Sequence, residues 1–68
     1  MADDIRKCLY ECTPLRNYNF VIIERTGELE ICGRVSTYYH KQVAQEVVRR
    51  VLNLRSSNLF LKNELIVG

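Results

Sequence analysis

The 68-residue chain has no apolar run approaching the roughly 18 residues that span a bilayer as a helix, so no membrane-spanning segment is expected. Its opening, MADDIRKCLYEC, places acids where a secretory leader needs positive charge, and Ala2 stands where myristoylation requires glycine. The closing LIVG is not a prenylation tail. Cysteine is scarce and odd in number: Cys8, Cys12 and Cys32 lack paired spacing, which argues against a disulfide framework and for a reducing compartment. With one proline and three glycines the chain is neither collagen-like nor low-complexity, and no repeat is visible. Neither GxGxxG nor GK[ST] occurs, so a glycine-rich phosphate cradle is excluded. A net charge of +2 is too small for phosphate-backbone binding as a default. If the chain is complete, these absences predict a soluble cytoplasmic protein.

What is present is the balance of a folding domain, 47% apolar and 26% charged. Residues 1–68 make one domain, and a domain this small buries only about 60% of the surface its unfolded chain exposes. Ile5, Cys8, Leu9 and Cys12 follow helical i, i+3, i+4, i+7 spacing, with Asp3 or Asp4 placed to cap the first turn and Pro14 to end the helix. A first strand is expected from about Tyr18 to Arg25, then a turn at Gly27, then a second strand. Period two sends Leu29, Ile31, Gly33 and Val35 to one face of that strand and Glu28, Glu30, Cys32 and Arg34 to the other. On the first strand, Phe20 and Ile22 point inward and Val21 and Ile23 lie beside Cys32. Ser36 or Thr37 can cap a second helix that buries Val43, Ala44, Val47, Val48 and Val51. Its solvent side takes Lys41, Gln42, Gln45, Glu46, Arg49 and Arg50, with Glu46–Arg50 as an i,i+4 pair. A final strand, LFLKNELIV, puts Leu59, Leu61, Asn63, Leu65 and Val67 opposite Phe60, Lys62, Glu64 and Ile66.

The order helix, strand, strand, helix, strand predicts an α+β fold, αββαβ, with two helices packed on one face of a three-stranded mixed sheet. The other face stays uncovered and carries Val21, Ile23, Cys32, Phe60 and Ile66.

From FVIIERTGELEICGRVSTYYHKQVAQEVVRRV through LKNELIV the chain resembles a BON domain, named for bacterial osmotic-stress and nodulation proteins. The resemblance rests on a turn glycine (Gly27), alternating apolar residues (Leu29, Ile31), a second glycine (Gly33), Val35, Ala44 on a helix rich in Ala and Val, and the closing Leu61, Asn63, Leu65 and Val67. It covers nearly the whole chain and its motif is mostly structural. It implies the αββαβ fold and a non-catalytic binding role at phospholipid surfaces or other envelope partners, with an envelope location if the chain is part of a longer BON protein. The sequence departs from the family pattern at Glu24, where an apolar residue is usual, at Asn53, where a glycine usually ends the second helix, and in the longer loop RSSN.

No residue set points to catalysis. Cys8, Cys12, Cys32 and His40 hold zinc-competent atoms but not the short paired loops of structural zinc sites, and the two helical cysteines read as core. Nothing in the spacing joins a cysteine to His40 as nucleophile and base. Glu28 and Glu30 share a strand face, which reads as a solvated hairpin edge rather than an acid/base pair. Gly33 is expected to let a helix pack closely on the sheet, and no metal or cofactor is expected.

Three binding roles follow. The leading one is self-association or protein-partner binding through Val21, Ile23, Cys32, Phe60 and Ile66 on the open sheet face. The second, from the resemblance, is peripheral binding to an anionic membrane surface through Tyr38, Tyr39, Lys41, Arg49 and Arg50. The third and weakest is nucleic-acid binding by the basic side of the second helix.

Overall fold

The computed structural model describes residues Met1–Gly68. Helix α1 spans Ala2–Glu11 and a short 3₁₀ turn Thr13–Leu15; strands β1 and β2 span Val21–Arg25 and Glu28–Val35, helix α2 Tyr38–Leu54, and strand β3 Phe60–Val67. The sheet order is β1-β2-β3. The β1–β2 hairpin is antiparallel and β3 runs parallel to β2, so the sheet is mixed and α2 is the crossover between its parallel strands. Helix α1 packs on β1, α2 packs on β2 and β3, and the two helices pack on each other. The expected α+β fold, with both helices on one sheet face, is therefore the fold observed.

Twelve buried residues form the core: Ile5 and Leu9 from α1, Leu15 from the 3₁₀ turn, Ile22, Leu29, Ile31, Val35 and Leu65 from the sheet, and Ala44, Val48, Val51 and Leu52 from α2. Leu15 and Leu52 lie outside the anticipated stripes. Pro14 does end α1, but the chain then coils through one 3₁₀ turn that drops Leu15 fully into the core. Helix α2 continues to Leu54, one turn past its valines.

Several local expectations are corrected. Asp3 and Asp4 do not cap α1. Its first amide, Ala2 N–H, donates to Glu24 Oε1 at 2.9 Å, while Asp3 pairs with Arg6 and Asp4 with Arg55. The carboxylate of Glu24 thus reaches across from β1 to the positive end of the helix, where a side-chain acceptor is favourable. Strand β1 begins at Val21 rather than Tyr18, because Tyr18 turns inward and hydrogen bonds elsewhere. Gly33 does not serve helix packing. At φ +144° a Cβ there would lie 2.9 Å from the carbonyl oxygen of Asn19, so the glycine admits the backbone entering β1. The Gly27 turn is as expected, with φ +76° between β1 and β2.

Gln45 is not on the solvent side. It is half-buried and accepts from Asn63 Nδ2 at 3.2 Å; the same Nδ2 donates to Lys41 O at 3.3 Å. Asn63 Oδ1 accepts from Leu65 N at 3.1 Å, so this one polar residue on the helix-facing side of β3 is satisfied at both ends. Thr37 supplies the cap of α2, accepting from His40 N at 3.1 Å. The Glu46–Arg50 pair is not formed, as suits a fully solvated pair whose contribution is small.

Candidate functional site: the uncovered sheet face

Strand register fixes what the helix-free face presents. Its cross-strand rows are Arg25–Glu28–Phe60, Ile23–Glu30–Lys62, Val21–Cys32–Glu64 and Arg34–Ile66. Val21, Ile23 and Cys32 are neighbours on the β1–β2 half. Phe60 and Ile66 occupy the two ends of β3 with Lys62 and Glu64 between them, so the five apolar candidates share a face but not one continuous patch. Val21, Phe60 and Ile66 are 55%, 68% and 58% exposed, high values for side chains of this type.

The charges on this face are balanced. Arg25, Arg34 and Lys62 oppose Glu28, Glu30 and Glu64, three against three, so the chain's net +2 arises elsewhere. Arg25 pairs closely with Glu30 and stands 3.8 Å from Glu28; Lys62 and Glu64 are 3.5 Å apart. The hydrogen bond from Arg25 holds the Glu30 carboxyl below its ordinary range, against an opposing desolvation, and the Cys32 thiol assists by lying 3.5 Å from Glu30 Oε2. Cys32 is shifted the other way. Desolvation first, then its hydrogen bond to anionic Glu30 and the field of that carboxylate, raise the thiol, which is therefore protonated and unreactive near neutral pH. Arg34 makes no ion pair within the chain. Chemically the face offers apolar contact, fixed charges and satisfied acceptors; Glu28 and Glu30 both face Arg25 and are not arranged as a proton-transfer pair.

The second candidate set is dispersed. Tyr38 and Tyr39 open α2 and are 65% and 66% exposed, Lys41 is half-buried, and Arg49 and Arg50 are exposed. At about 1.5 Å rise per residue, Tyr39 and Arg50 stand roughly 16 Å apart along the helix. These five residues lie along one helix and form no common pocket. The zinc-competent set is likewise separated, with Cys8 on α1 and Cys12 just past its end, His40 on α2, and Cys32 on the sheet face away from both helices. No group of three or more metal-ligating side chains forms. The grooves are shallow, the largest about 440 Å³, running along α1 beside the C-terminal end of α2 and lined by Asp4, Lys7, Cys8, Glu11, Val51, Leu54 and Arg55.

One polar cluster escaped the sequence pattern. Tyr18 Oη lies 2.6 Å from Ser36 Oγ and 2.7 Å from His40 Nδ1, and it accepts from Ser36 N at 3.0 Å. The Tyr18 ring packs edge-on to both Phe20 and His40. The cluster pins the chain before β1 to the start of α2. Its partners lie 18 to 22 residues apart, beyond any local period. Arg25, Arg34, Lys62 and Glu64, by contrast, were within reach, since they share strand parity with Ile23, Cys32 and Phe60.

No helix is long and apolar enough to cross a membrane. No family model, curated protein sequence or solved structure matches the chain.

Proposed function

We propose that this chain is a non-catalytic interaction module that works through its uncovered sheet face, taking a second copy or another protein as partner. The observation that carries this is the one-sided layering. Two helices cover one face of the sheet and nothing covers the other, where Val21, Phe60 and Ile66 stand largely in water. Charge balance supports a protein surface over a polyanion, because a face with three cations and three anions has no net attraction for phosphate.

Sedimentation of the wild type and of Ile23→Glu over a wide concentration range tests self-association. The wild type should gain mass with concentration and Ile23→Glu should stay monomeric. A wild type that remains monomeric at the highest concentration removes the self-association form of the proposal.

A second reading, peripheral binding to anionic lipid as the BON resemblance implies, is favoured by the exposed Tyr38 and Tyr39 rings at one end of a helix that also carries Lys41, Arg49 and Arg50. Co-sedimentation with anionic vesicles separates it from the first. Salt-sensitive binding lost on Tyr38→Ser/Tyr39→Ser but kept in Ile23→Glu supports lipid, and no binding at low salt removes it.

A further inference from the structure

The open face is complementary to itself in one orientation. Two planar faces related by a twofold axis must have that axis in the plane between them, and a sheet offers two principal directions for it. With the axis along the strands, each residue of β2 meets its own copy. Glu28 would face Glu28, Glu30 would face Glu30 and Arg34 would face Arg34, while Ile23 would face Lys62 and Val21 would face Glu64. Like charges stack and apolar side chains oppose charged ones.

With the axis across the strands, between the Glu30 row and the Cys32 row, every strand lies on its own reversed copy. Ile23 then meets Val21 of the second copy, Phe60 meets Ile66, Lys62 meets Glu64, and Glu28 meets Arg34. Each contact occurs twice by symmetry. Apart from the central row and Arg25, whose opposite position lies before the start of β1, apolar meets apolar and cation meets anion, and Arg34, which has no ion pair within its own chain, gains one. At the centre Glu30 meets Cys32. That carboxylate can be covered because Arg25 and the Cys32 thiol of its own chain already satisfy it. Sheets stacked about 10 Å apart and within about 30° of alignment keep the two central rows in register.

We infer that this chain forms a twofold dimer by stacking its open sheet faces about an axis perpendicular to the strands, with Lys62 set against Glu64 and Glu28 against Arg34 of the second copy. The inference rests on the proposed use of this face and adds its partner, symmetry and register. Strands of five, eight and eight residues present a footprint of at most about 14 by 26 Å. That places the dimer among the small, weak interfaces below about 1,200 Å² in total.

Charge complementation between two variants tests it. In Lys62→Glu, position 62 faces Glu64 of the second copy; in Glu64→Lys, position 64 faces Lys62. Each variant alone should associate roughly tenfold or more weakly than the wild type. Their equimolar mixture should recover wild-type mass by sedimentation, because both cross-copy contacts become opposite in sign. Each chain in the mixture keeps its own like-charged 62/64 pair, so a role confined to the monomer cannot produce the recovery. Both residues are exposed, and circular dichroism of each variant checks that it folds; the double reversal Lys62→Glu/Glu64→Lys should also dimerise. If the wild type dimerises and Ile23→Glu prevents it but the mixture is no heavier than either variant alone, the register is wrong while the use of the face stands. If the wild type never dimerises, the self-association beneath the inference fails and the inference goes with it.

Discussion

Ser56 and Gly33 both hold backbone angles that side chains with a Cβ rarely adopt, and their surroundings make opposite demands. Ser56 has φ +51° and follows the Arg55 cap of α2; its amide donates to Asn53 O at 3.1 Å and that of Ser57 to Leu52 O at 2.9 Å. This is the paired closure of a Schellman turn, in which glycine is the favoured residue. Ser56→Gly should therefore stabilise the fold by about 1 kcal/mol and raise the melting temperature by about 4–8 °C, read by thermal denaturation. An unchanged or lower midpoint would refute this. Helix α2 thus runs through Asn53 and closes at Ser56. Gly33 tolerates no such exchange in either direction, because a Cβ would press on the Asn19 carbonyl as well as strain φ.

At the scale of elements, the fold depends on a few polar ties between segments that hydrophobic patterning alone would leave free to slide. Asn63 joins β3 to α2 through Lys41 O and Gln45 Oε1 and also occupies the Leu65 amide. Asn63→Ala should destabilise the chain by about 1–2 kcal/mol in urea titration, since it removes these hydrogen bonds and leaves partly buried acceptors without their donor. A change under about 0.3 kcal/mol would show that water replaces the amide fully. Tyr18 performs a corresponding tie just past the C-terminal end of β2, fixing the entry to β1 against Ser36 and His40. Glu24, which shares strand parity with Ile22, serves as the acceptor for the first amide of α1. All three residues are polar groups at positions where a simple apolar pattern would place a hydrophobe or nothing.

For the whole molecule, the open face couples charge to stability. Glu30 has its folded-state pKa lowered, chiefly by Arg25, so its stabilising contribution is present above the ordinary carboxylate range and is lost as pH falls through the lowered value. The urea midpoint of the wild type should fall between about pH 5 and pH 2. In Glu30→Gln that fall should be shallower, with the two proteins converging at the acid end. Parallel profiles would show that the Arg25–Glu30 contact carries no proton linkage. The same contact sits near the centre of the inferred dimer, so protonating Glu30 should weaken association over the same interval.

The amino-acid sequence by itself determined the alternation of Leu29, Ile31 and Val35, the stripe of Ala44 and Val48, the turn at Gly27 and the order αββαβ, because period two, period 3.6 and a positive φ are local properties. It also assigned Val21, Ile23, Cys32, Phe60 and Ile66 to one face, by parity alone. Only the tertiary structure decided how those residues are arranged on it. The pairing of β3 with β2 sets Lys62 beside Glu30 and Glu64 beside Cys32, which splits the apolar set. The hairpin register sets Ile23 opposite Glu30, leaving Arg25 within reach of that carboxylate. The burial of Leu15, the Tyr18 cluster and the cap from Glu24 likewise join residues distant in the chain. No local period encodes such contacts; they exist only once the helices have closed over one side of the sheet and left the other to water.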